Sequence, residues 1–172
     1  MRQPSLHPGF TLIELLLYVA ISSVLLLVIS AFLSSLLQSR VKNQTIAEVE
    51  QQGVQVMQII SQTIRNAKDI NSPTQGTSAS SLSLDVITGA NNPTVFDLSS
   101  GVVRIKEGVA TAIALTNSRV TASGLSFQNL SRSNTPGTVR ISYTLTHLNP
   151  SGRNEYDFTK TFIGSATLRQ QE

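Results

Sequence analysis

Between Phe10 and Leu37 the chain runs for 28 residues with no glycine, no proline and a single charge, Glu14. Without breakers, such a run folds as a helix about 42 Å long, enough to cross a hydrocarbon core of roughly 30 Å with some tilt. The carboxylate is the exception. A charge inside a membrane helix costs about 3 kcal/mol on insertion scales, so an intramembrane Glu is a candidate functional group. Against this stands a plain alternative, that Glu14, near the start of the run, snorkels to the interface. The run alone leaves both open.

The residues that open it are Gly9-Phe10-Thr11-Leu12-Ile13-Glu14. This hexapeptide, followed at once by a long apolar helix, resembles the processing site of type IV filament subunits, the pilins and the pseudopilins of type II secretion. The resemblance implies cleavage between Gly9 and Phe10 by a prepilin peptidase, N-methylation of Phe10, and an assembly role for Glu14. It also implies other pilin or pseudopilin subunits as partners through the N-terminal helix, and an inner-membrane assembly platform. Localisation follows: a single-pass protein of the cytoplasmic membrane with its head outside the cytoplasm, later part of a surface filament.

Met1–Gly9 reads as a short polar leader. The apolar run is too long for the 7–15-residue core of a secretory signal, and the candidate cut precedes it, so the anchor is retained. Charge does not orient the helix, because Arg2 precedes it and Arg40 and Lys42 follow it; the resemblance places the leader in the cytoplasm. Ser30/Ser34 and Ala31/Ser35 form small-residue pairs at helical spacing, where helices can approach closely.

From Arg40 the pattern becomes amphipathic. Ile46, Val49, Gly53, Val56, Met57, Ile60, Ile64 and Ala67 make one apolar stripe, and glutamines fill much of the remainder. Asn71 and Pro73 predict the helix end near Ile70. Pro73–Ser80 reads as a linker. Beyond it, alternating segments separated by turn residues predict six or seven antiparallel strands, clearest at Thr138–Leu148 with Tyr156–Ile163 as its hairpin partner. The expected organisation is leader 1–9, transmembrane or filament-core helix 10–39, amphipathic helix 40–72 and β-rich head 73–172. The fold class is α+β: a long N-terminal helix packed against an antiparallel β-sheet head, as in pilins. Within that family the order of elements, with Leu115–Val120 and Gly124–Phe127, is most similar to minor subunits of the J-type pseudopilin group.

There is no cysteine, so the head carries no disulfide. The disulfide loop common near the C-terminus of Gram-negative pilins is therefore excluded. No catalytic triad, metal-ligand spacing or phosphate loop appears, so the reading is not an enzyme, with no cofactor and no metal. His147, on the inward face of its strand, reads as structural. Net charge is +3, a weak argument for an anionic partner. Arg104, Lys106 and Arg140 form at most a weak basic patch. Without interleaved aromatics they read as solvated strand faces, and nucleic acid is disfavoured as a partner. Two further readings are a major pilin of the same machinery and a single-pass anchor carrying an adhesive β-domain.

Overall fold

The structure is a computed structural model that describes Gly9 and residues 11–169. Helix α1 (Leu12–Asn66) runs unbroken for 55 residues, and the chain divides into two compact units, Met1–Arg40 and Val41–Glu172. In the first unit, every large apolar side chain from Leu12 to Leu37 is exposed, from 49% at Leu36 to 79% at Leu12. Such a surface is stable only against lipid or other helices. Ser23 donates its hydroxyl to the Ala20 carbonyl at 2.8 Å, the local bond that lets serine sit in an apolar helix without an unpaired donor.

The second unit is α+β. Its described part holds nine strands: β1 (Ala67–Ser72), β2 (Ser78–Ala79), β3 (Leu82–Val86), β4 (Thr94–Ser99), β5 (Val102–Glu107), β6 (Ile113–Ala114), β7 (Val120–Asn129), β8 (Thr138–His147) and β9 (Thr159–Thr167). They form two sheets, in the orders β1-β3-β4-β5-β6 and β2-β7-β8-β9, and neighbouring strands are antiparallel. The core joins α1 to both sheets: Val49, Val56, Ile60 and Ile64 from the helix, Leu82, Leu84, Phe96 and Val103 from the first sheet, and Phe127, Val139, Ile141, Tyr143 and Leu145 from the second.

The helical stripe is close to the one expected. Thr45, Val49, Gly53, Val56, Ile60 and Ile64 are buried, so Thr45 takes the place given to Ile46. Burying it leaves no unpaired donor, because its hydroxyl bonds the Val41 carbonyl at 3.1 Å. Gly53 is explained by contact. A β-carbon there would fall 2.0 Å from Cζ of Phe162 on β9, and one on Gly164 would fall 2.7 Å from Sδ of Met57. Helix and strand thus interlock, each presenting a glycine to a large side chain of the other.

Tyr143 completes this joint. Its hydroxyl donates to the Gly53 carbonyl at 2.6 Å, and its ring stacks on Phe162 with centroids 5.5 Å apart. Burial pushes the phenol's pKa above its usual value, against a small opposing pull from the Met57 backbone. Tyr143→Phe is expected to cost about 1–2 kcal/mol in urea unfolding of the Val41–Glu172 unit. A raised folded pKa stabilises fully below the unfolded value near 10 and less as pH climbs beyond it. The gap between wild type and Tyr143→Phe should therefore hold from neutral pH to about 10 and narrow above that.

Three boundaries differ from the sequence expectation, and the described head holds nine strands where six or seven were expected. The helix ends at Asn66, not near Ile70, and Ala67–Ser72 is a strand paired with β3. Within the expected linker, Ser78–Ala79 pairs with Gln128 and Phe127 of β7. At these first two, non-local pairing overrides local propensity. The Arg65 carbonyl, freed at the helix end, accepts the Arg169 N–H at 3.0 Å. The long hairpin β8–β9 is as expected in β8, but its return begins at Thr159. Asn154–Tyr156 forms a single 3-10 turn instead, held to α1 by Lys42, whose ammonium donates to the carbonyls of Asn154 (3.0 Å) and Asp157 (2.5 Å).

Candidate processing and assembly site

The start of α1 is built by Thr11. Its carbonyl accepts the N–H groups of Glu14 and Leu15 at 3.1 and 3.2 Å, and its hydroxyl lies 3.4 Å from the Glu14 nitrogen. Thr11 is thus the N-cap, satisfying a donor that the first helical turn leaves free. Thr11-x-x-Glu14 has the spacing of a capping box, a signal already present in the sequence. The cap uses the backbone N–H of Glu14. Its carboxylate lies in the first turn, where the positive end of the helix dipole favours an anion.

Gly9 is exposed, and a β-carbon built on it meets nothing within 4 Å. Its own fold makes no demand for glycine. Phe10, the residue expected to become the methylated N-terminus, lies outside the described residues, as does the leader up to Pro8. What the described part shows is an exposed glycine, a capped helix start, one carboxylate in the first turn and a bare apolar helix beyond it.

The other candidate residues are not brought together. Arg104 and Lys106 stand on β5 in the first sheet, and Arg140 on β8 in the second. Arg104 is taken up by its cross-strand partner Asp97, with Nε–Oδ1 and Nη2–Oδ2 distances of 2.9 and 2.7 Å, and this partner raises the guanidinium's pKa further. His147 is half-buried at the end of β8, stacked on Tyr156 with its Nε2 3.7 Å from Glu48 Oε2. Sequence reasoning missed Glu48, which also holds Asn117 at 3.1 Å and Arg119 at 3.4 Å. Only tertiary structure joins those positions. Among the described residues, no group of three His, Cys, Asp or Glu side chains could hold a metal ion.

Compared with known families, the chain matches the prokaryotic N-terminal methylation motif over residues 7–30. No curated protein and no solved structure gives a significant match. The matched segment includes Gly9, Phe10 and Glu14 and ends within α1. The motif and the apolar helix it opens support a type IV pilin-like class: a prepilin-type precursor with a single-pass membrane helix. At this level the motif implies peptidase processing, membrane anchoring and assembly with other subunits of the same kind, and indicates a structural subunit in place of an enzyme.

Proposed function

We propose that this protein is a minor structural subunit of a type IV pilus or a type II secretion-like pseudopilus. It is made as a membrane-anchored prepilin, cut between Gly9 and Phe10, methylated at Phe10 and drawn into a helical filament through α1. The observation that carries this reading is the methylation motif, which spans the start of a capped helix whose apolar side chains from Leu12 to Leu37 are exposed. Such a helix needs lipid before assembly and neighbouring helices after it, so one surface serves both states. The head faces away from the cytoplasm, and an inner-membrane platform and a prepilin peptidase are its processing partners. A minor role is supported by the order of elements and by the absence of a glycine or proline between Phe10 and Leu37, where a breaker would let the helix unwind partly in a filament.

The test is the mass of the mature N-terminal peptide. Protein recovered from its native membrane should begin at N-methylated Phe10. A chain that still begins at Met1 sinks the proposal in favour of a permanently anchored β-domain.

A further inference from the structure

The two sheets have four edges, and three are blunted. β2 and β6 are two residues long, and the pairing of β1 with β3 is broken by two register shifts. Short and irregular edges are how native proteins prevent unwanted strand addition. β9 lacks these devices. Its nine residues pair with β8 in one unbroken register, from Thr138↔Thr167 to Thr146↔Thr159. The pairing is stiffened by threonine hydroxyl contacts of 3.1, 2.8 and 3.0 Å at Thr138–Thr167, Thr144–Thr161 and Thr146–Thr159. β9 has no proline, and its one charge, Lys160, is drawn onto Glu50 of α1 at 2.5 Å. Thr159, Thr161, Ile163, Ser165 and Thr167 are all exposed, and Ile163, at the centre, is 61% exposed.

One end of this edge is cationic. A groove of about 450 Å³ runs between the end of α1 and β9, lined by Arg65, Asn66, Ser165, Ala166, Thr167 and Arg169. Arg140 is the cross-strand neighbour of Ser165. The other head arginines, Arg104, Arg119 and Arg153, pair with carboxylates or, like Arg132, lie outside this groove. Among the described residues, no carboxylate lines it.

We propose that the free edge of β9 receives an extended segment of another protein, which adds as a further strand and sets acidic side chains against Arg65 and Arg169. Main-chain bonds along β9 supply the affinity, an apolar residue opposite Ile163 sets the register, and the arginines set the charge preference. A second copy of this chain is a poorer occupant. Its one long regular edge is its own β9, which carries no acidic side chain to set against Arg65 and Arg169. The inference concerns the head, and the proposed N-terminal processing can fail without affecting it.

The test uses the full chain in detergent micelles and three synthetic peptides of alternating Thr and Val. One has two Glu at each end, one has two Lys at each end, and one is the Glu peptide with a central Pro. The Glu peptide should bind at least about tenfold more tightly than the Lys peptide, a gap of about 1.4 kcal/mol, and should slow hydrogen exchange of β9 amides. The Pro peptide should not bind. Arg65→Glu with Arg169→Glu should reverse the charge preference. Ile163→Lys, at an exposed position, should weaken the Glu peptide about tenfold while leaving the head folded. Equal binding of the Glu and Lys peptides, binding of the Pro peptide, unchanged β9 exchange at saturation, or self-association of the chain through β9 would each overturn the proposal.

Discussion

Glu14→Leu is expected to insert into the membrane and be cleaved like wild type, yet to enter filaments at a small fraction of the wild-type level. The argument starts from what the side chain does not do. The recorded cap at Thr11 uses the Glu14 N–H and survives the substitution, and leucine is a good helix former. Cleavage before Phe10 would create an α-amino group with a reference pKa near 8, largely cationic at neutral pH. It sits four residues from Glu14, about one helical turn. At the membrane interface both charges stay partly hydrated. Among packed helices they cannot, and a staggered array can pair the Glu14 of an incoming subunit with the Phe10 amine of a neighbour. Leaving one charge of a buried pair unmatched costs roughly 3–5 kcal/mol, or at least a hundredfold in the docking equilibrium. Glu14→Asp should be intermediate, since the shorter arm weakens the pair. Sheared filaments blotted for this subunit, with cross-linking to the next subunit, measure the effect. Incorporation equal to wild type would leave Glu14 as a snorkelling residue.

Gly9→Val should leave the precursor uncut, a loss of processing that approaches completeness. Gly9 is exposed and has open space where a side chain would go, so valine does not disturb the chain's own fold. The expected effect therefore arises where the segment would enter the peptidase, on the proposal that its subsite fits a residue without a side chain and an extended backbone beside the membrane. The membrane-bound protein should keep its precursor mass, with insertion unchanged. A Phe10 N-terminus formed at the normal rate in this variant would show that the cut lies elsewhere. Together the two substitutions separate processing from assembly: Gly9→Val should stop the chain before the amine exists, and Glu14→Leu should leave the amine without its counter-charge.

The N-terminal half was legible because its signals are local. An apolar run without breakers, a Thr-x-x-Glu cap and a stripe at steps of three and four each depend on residues within a few positions of one another. They determined the course of α1 short of its end, the buried positions Val49, Val56, Ile60 and Ile64, and the place of Gly53 on the same buried face. The same held for β8, where strict alternation put Val139, Ile141, Tyr143 and Leu145 in the core.

What the tertiary structure decided was partnership. That Ala67–Ser72 leaves the helix depends on β3 standing ready to pair with it, and that Ser78–Ala79 is a strand depends on β7. The division into two sheets separated Arg104 from Arg140, which the sequence could only count as charges of like sign. It also brought Glu48 to His147 and Arg119 across about 70 to 100 residues of chain. Local sequence specifies helices, caps and faces because their bonding is satisfied within a few residues. Strand edges find their bonds far along the chain, so only the fold shows that three of the four are blunted and that β9 is left open.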